Sequence, residues 1–160
     1  MTRLPRPSAD EQLSFLSKVQ RLFNEGDFTA TYKCALLISL ADLAVEVGRN
    51  DGDELPLSVR QIAERFVQLY WRQATPYGIG RPGAEPAVLS QNLGAQAAIV
   101  GEISDFRATC GVLSPQAARS HPKYRSLVSS VAATVSAQPL ARLQNFGGRN
   151  VSMTLLHLMS

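Results

Sequence analysis

The run at residues 35–47, ALLISLADLAVEV, sets the strongest limit on what this chain can fold into. Its apolar residues fall on nearly every side of a helical wheel, so a helix here lacks a continuous polar face and needs other elements to cover it. Ser39, Asp42 and Glu46 interrupt the run, which falls short of the roughly 20 apolar residues a membrane span requires. The expectation is a buried helix at the centre of a helical core. A chain of 160 residues can supply such a core, because a domain of about that size buries roughly 70% of the surface its unfolded chain exposes. With 45% hydrophobic and 18% charged residues, the composition is that of a globular protein.

The flanking sequence reads as helices with recognisable ends. Ser8 and Glu11 have capping-box spacing, and Leu13, Leu16, Val19, Leu22 and Phe23 recur at three- and four-residue steps before Gly26. Thr29 or Thr31 is placed to cap the apolar helix, which ends at Gly48, and the acidic GRNDGDELP is a loop. Ser58 and Gln61 repeat the capping box and open a helix over 59–73, with Val59, Ile62, Ala63, Phe66, Leu69 and Tyr70 facing inward. After the proline- and glycine-rich ATPYGIGRPGAEP, a helix over 88–109 turns Leu89, Leu93, Val100, Ile103 and Phe106 inward and stops at Gly111. Ser114 and Pro115 supply a cap and a first-turn proline for a short helix. Residues 123–137 form another, with Leu127, Val128, Val131 and Val135 inward, before Pro139 breaks it.

No segment alternates apolar and polar residues over five positions between turn signals. The fold class is therefore all-α: a single compact domain of five or six helices around a buried central helix, over 8–148. Residues 1–7 read as a flexible tail, and 149–160 fit a strand and a helix equally. The basic N-terminus has no apolar core or cleavage site, which makes the cytoplasm the default location. Cys34 and Cys110 lie in apolar helical contexts far apart in sequence, a pattern of buried free thiols.

The net charge of +3 conceals an asymmetry. Residues 1–105 hold ten basic side chains against thirteen acidic ones, whereas Arg107, Arg119, Lys123, Arg125, Arg142 and Arg149 face no acid over 106–160. Such a block steers a chain toward polyanions, DNA first among them. At the end of the 59–73 helix, QLYWRQATPYG adds aromatics. Tyr70 belongs to the inward face, while Trp71 lies roughly 130° from the centre of that face, on the side of Arg60. Arg65 and Arg72 continue that side around. Trp71 either packs against a second layer or forms a basic aromatic patch with Arg60, Arg65 and Arg72, in which a base stacks on the indole while arginines hold phosphates. Arg119, Lys123 and Arg125 extend the set of candidate nucleic-acid contacts.

Two polar constellations have structural and functional readings. Asp42 and Glu46, spaced i, i+4, could ligate a metal but more simply hold an arginine or lysine of a neighbouring helix. Gln91, Asn92 and Gln96 could bridge helices or reach adenine edges. The two histidines, His121 and His157, stand in unrelated contexts, so neither a two-histidine metal site nor a Ser-His-Asp triad is readily assembled. No phosphate-cradling glycine motif occurs. No catalytic residue, metal ligand or cofactor is assigned.

Three stretches in order, FLSKVQRLFNEGDFTATYKCALLISLADLAVEVG, IAERFVQLYWRQATPYG and LSQNLGAQAAIVGEI, followed by QPLARLQNFGG, resemble the N-terminal region of bacterial HNH-endonuclease-domain proteins of the restriction or defence type. The resemblance spans roughly residues 13 to 148 and rests on packing motifs. It implies a helical module that precedes a nuclease and engages or positions its DNA substrate, with the nuclease as partner. The HNH motif itself is absent and the chain ends soon after Gly148, so the resemblance implies an excised or truncated domain and carries over no catalytic residue. The competing expectation is a protein–protein interaction or regulatory domain that self-associates through the apolar helix.

Overall fold

The computed structural model describes residues 31–48, 55–76 and 97–140, with isolated positions among 8–20 and at 83. Among the described residues every regular element is helical and none is a strand, which makes the fold all-α. The elements are α1 (Tyr32–Val47), α2 (Val59–Tyr70), α3 (Ala98–Cys110), α4 (Pro115–Arg119) and α5 (Tyr124–Val135), the last running into a π-helical turn at Ser136–Leu140. None of the described helices is long and apolar enough to cross a membrane.

Local chemistry explains most of the ends. The Ser58 hydroxyl accepts from the Gln61 amide at 3.3 Å, and the Gln61 side chain accepts from the Ser58 amide at 2.8 Å, the reciprocal box that starts α2. Gly111 closes α3 at φ 65°, a left-handed conformation that costs a glycine little. The Ser114 hydroxyl accepts from the Ala117 amide, and Pro115 occupies the first turn of α4. Pro139 does not end the last helix as expected; it sits buried inside the π-helical turn. Ala97 is extended, so α3 begins at Ala98 and the helix expected over 88–109 is described only from there.

A buried central helix exists, but it is α2 and not the 35–47 segment. α2 packs against α1, α3 and α5. Ile62, Ala63, Phe66 and Val67 have no exposed surface and Tyr70 almost none. Each large side chain of this kind contributes about 1.5–3 kcal/mol by leaving water. In α1, by contrast, only Tyr32, Ala35, Leu36, Ser39 and Leu43 are buried, while Val45 is 85% exposed and Ile38 and Val47 are exposed as well. The physical reason is that a helix apolar on all sides does not specify a face, whereas α2 concentrates its bulk on one side. Cys34 lies on the outer side of α1 and Cys110 is half-buried; both are free thiols, but neither is buried as expected. Leu13, assigned to an inward stripe, is exposed.

Aromatic side chains tie α1 to its neighbours. Tyr32, Phe66 and Tyr70 form a triangle with ring centroids 5.7 to 6.2 Å apart, Tyr32 meeting Tyr70 edge-on. The Tyr32 hydroxyl accepts from the Ile99 amide at 3.1 Å. Since Ala97 offers α3 no capping side chain, a tyrosine 67 residues earlier satisfies one of the helix's orphan amides. Thr31 stands at the N-cap of α1 yet makes no side-chain cap; its hydroxyl shares a 2.7 Å hydrogen bond with Tyr70. Among the described residues, Oε2 of Glu102 is buried without a hydrogen-bond partner, and burial pushes that carboxyl above its ordinary range.

Candidate functional site

The end of α2 resolves the two readings of Trp71. Its indole is 4% exposed, not presented on the surface, and its Nε1–H donates to the Leu113 carbonyl at 3.3 Å. Phe106 of α3 meets the ring edge-on at 6.4 Å, and the Arg107 guanidinium lies 5.2 Å from the ring centroid. Nη1 of Arg107 donates to the Trp71 carbonyl at 3.2 Å and to the Thr75 hydroxyl, so this arginine fastens the end of α2 to α3. Trp71 is a wedge between helix layers and offers no face for a base. The helical wheel misplaced it because α3 and the 111–114 segment cover the side that α2 taken alone leaves open.

The remaining cationic candidates separate. Arg65 pairs with Glu46 of α1, the ion pair expected for that carboxylate. Arg72 is exposed at the far end of α2, about 18 Å along the axis from Arg60. Gln91, Asn92 and Gln96 lie outside the described residues, and Asp42 is exposed on α1. The patch envisaged from Arg60, Arg65, Trp71 and Arg72 does not assemble.

A different grouping does. Arg60 and Glu64 of α2, Arg119 of α4, Arg125 and Tyr124 of α5, and His121 and Pro122 between them line an open cleft of about 520 Å³. Its walls are fixed by short-range bonding. The capping box of α2 holds Arg60 in the first helical turn. On the other wall, the amides of Ser120 and His121 donate to Ala117 and Ala118, and the amide of Tyr124 donates to His121 at 2.9 Å. This succession of tight turns delivers Arg119, His121, Tyr124 and Arg125 to one place within seven residues. Lys123 is exposed in the same turn.

The donors are partly oriented. Nε of Arg60 contacts Glu64 at 3.3 Å, a pairing that occupies one edge of the guanidinium and leaves its two terminal nitrogens outside that contact. Nδ1 of His121 accepts from the Lys123 amide at 3.2 Å, which places the proton of the neutral ring on Nε2. The ring is steadied by Phe106, edge-on at 5.6 Å. Tyr124 is buried, and burial raises the pKa of its hydroxyl, while the Arg119 guanidinium beside it acts in the opposite direction. The phenol therefore stays protonated as a donor at neutral pH. Three guanidiniums, an imidazole N–H and a phenol O–H around one opening suit an oxyanion.

Among the described residues, no group of three or more His, Cys, Asp or Glu side chains gathers as a metal site. No protein-family model, curated protein or solved structure matches this chain, so its own residues carry the functional reading. The basic block flagged Arg119 and Arg125, and the helical wheel flagged Arg60 on the side of Trp71. Glu64, His121, Pro122 and Tyr124 were not singled out; the available signal was the basic stretch 119–125 with a histidine, a proline and a tyrosine inside it, and a glutamate four residues after Arg60.

Proposed function

We propose that this domain is a non-catalytic helical module that engages phosphate groups of nucleic acid, and so positions a substrate for a nuclease of the kind the sequence resembles. The observation that carries the reading is the meeting of Arg60, Arg119 and Arg125, from three different helices, in one cleft. Affinity comes from charge-assisted hydrogen bonds to phosphate oxygens, with no contribution from stacking on Trp71. The test is a titration of a labelled oligonucleotide at several salt concentrations. Binding should weaken as salt rises, and Arg60→Ala, Arg119→Ala or Arg125→Ala should each lower the slope of log K against log salt by about one unit or slightly less. Salt-independent binding, or slopes unchanged in all three variants, would remove the cleft from the interface.

One observation favours a second reading, self-association. Ile38, Val45 and Val47 expose apolar surface on α1. Light scattering on the same samples distinguishes the two, because a dimer held through α1 should dissociate in Ile38→Asp while nucleic-acid binding persists.

A further inference from the structure

The make-up of the cleft specifies the phosphate more narrowly. Three arginines against the single carboxylate of Glu64 leave two positive charges uncompensated on the lining. A phosphodiester inside a strand carries one negative charge and two non-bridging oxygens, whereas a phosphomonoester carries close to two charges at neutral pH and three such oxygens. The monoester matches both the charge and the donor set, which comprises three guanidiniums, the Tyr124 hydroxyl and the imidazole N–H of His121.

The surroundings agree. A groove that tracks a polymer backbone repeats its cations along a path. Here Arg65 is committed to Glu46 and Arg107 to Trp71 and Thr75, while exposed Lys123 sits in the cleft's own turn and exposed Arg72 lies about 18 Å from Arg60, so the described cations gather at the cleft more than they form a path away from it. Glu64 stands in the wall beside Arg60 and offsets one of the three guanidinium charges. Its contact is with Nε of Arg60, which leaves the two terminal nitrogens of that guanidinium outside the ion pair and able to pair with phosphate oxygens as a fork.

Resting on the reading that the cleft takes nucleic-acid phosphate, we propose that it receives the phosphomonoester at the end of a nucleic-acid strand. The experiment uses the full chain and one labelled oligothymidylate in three forms: a 5′-phosphate, a 3′-phosphate, and hydroxyls at both ends. Nucleoside monophosphate and inorganic phosphate serve as competitors. A terminal phosphate on one or both ends should tighten binding about tenfold over the hydroxyl-ended strand. Arg119→Ala and Arg125→Ala should bring the phosphorylated strand down to the hydroxyl-ended level with the melting transition in place. Arg125→Lys, which keeps the charge but loses the fork, should retain only part of the preference. Equal affinity for all three strands would overturn the end-binding proposal while leaving phosphate binding intact. A nucleoside monophosphate that binds as tightly as the phosphorylated strand would overturn it by making the free nucleotide the ligand. Failure of every strand to bind would remove the underlying reading and the proposal with it.

Discussion

α1 and α2 differ in how their sequences relate to what they bury. α1 is the more apolar, yet it turns Val45 and Ile38 to solvent, while α2 carries arginines, glutamines and a glutamate and still has five buried side chains in twelve residues. Apolar content measures how much a helix could bury. Segregation onto one face determines where it goes, because only a helix with a polar back has an orientation that water enforces. α2 has such a back, and on it stands Arg60, at the mouth of the cleft. The element that organises the core thus also contributes one wall of the cleft.

Substitutions in α2 should be the harshest test of that contrast. Phe66→Ala, Tyr70→Ala and Trp71→Ala should each cost about 3–5 kcal/mol in denaturant unfolding, since all three rings are buried and leave cavities. A loss below about 1 kcal/mol at Trp71 would return the indole to the surface. Within α1, Leu36→Ala should cost about 2–5 kcal/mol from the buried side. Alkaline titration probes the junction of the two helices. Burial pushes the Tyr70 hydroxyl up to about 12 from an ordinary 10. An acid whose folded pKa is raised contributes stability that is complete below its unfolded pKa and lost as pH rises through the folded one. Stability should therefore fall between about pH 10 and 12, with Tyr70→Phe showing a shallower decline; identical pH profiles would contradict the assignment. Ser58→Ala, which removes the cap of α2, should cost about 1 kcal/mol, read as a shift in the denaturant midpoint. The smallest effect belongs to Val45→Ser, expected within about 0.5 kcal/mol of zero. A larger loss would mean that the outer side of α1 is covered in solution.

What could be foreseen divides by sequence separation. The box of Ser58 and Gln61, the stop at Gly111 and the Ser114–Pro115 start were legible because each is decided within a few residues. The inward face of α5 followed from its periodicity, and that of α2 largely so, although fully buried Val67 was not assigned to it and Val59 and Leu69 are only partly buried. Three contacts were not legible: Tyr32 with the Ile99 amide, Thr31 with Tyr70, and Trp71 with Leu113, at separations of 67, 39 and 42 residues. Each diverts a polar group from its local role to a partner that only the packed fold supplies. The cleft is a similar case. Arg60 was marked by its place beside Trp71 and Arg119 by charge, as separate candidates, and only the packing of α2 beside the α4–α5 turn puts them in one cleft.

The buried indole also has an optical consequence. Trp71 is the sole tryptophan of the chain, so ultraviolet emission excited at the indole comes from one known position. Its ring touches Phe106, and Phe106 touches His121 in the cleft wall, an aromatic relay of two contacts at 6.4 and 5.6 Å. The protein thus carries an unlabelled reporter behind the wall of the proposed phosphate cleft. An anion that moves the His121 ring should change the wavelength or yield of that emission, and Phe106→Leu should silence the response without abolishing capture of the anion.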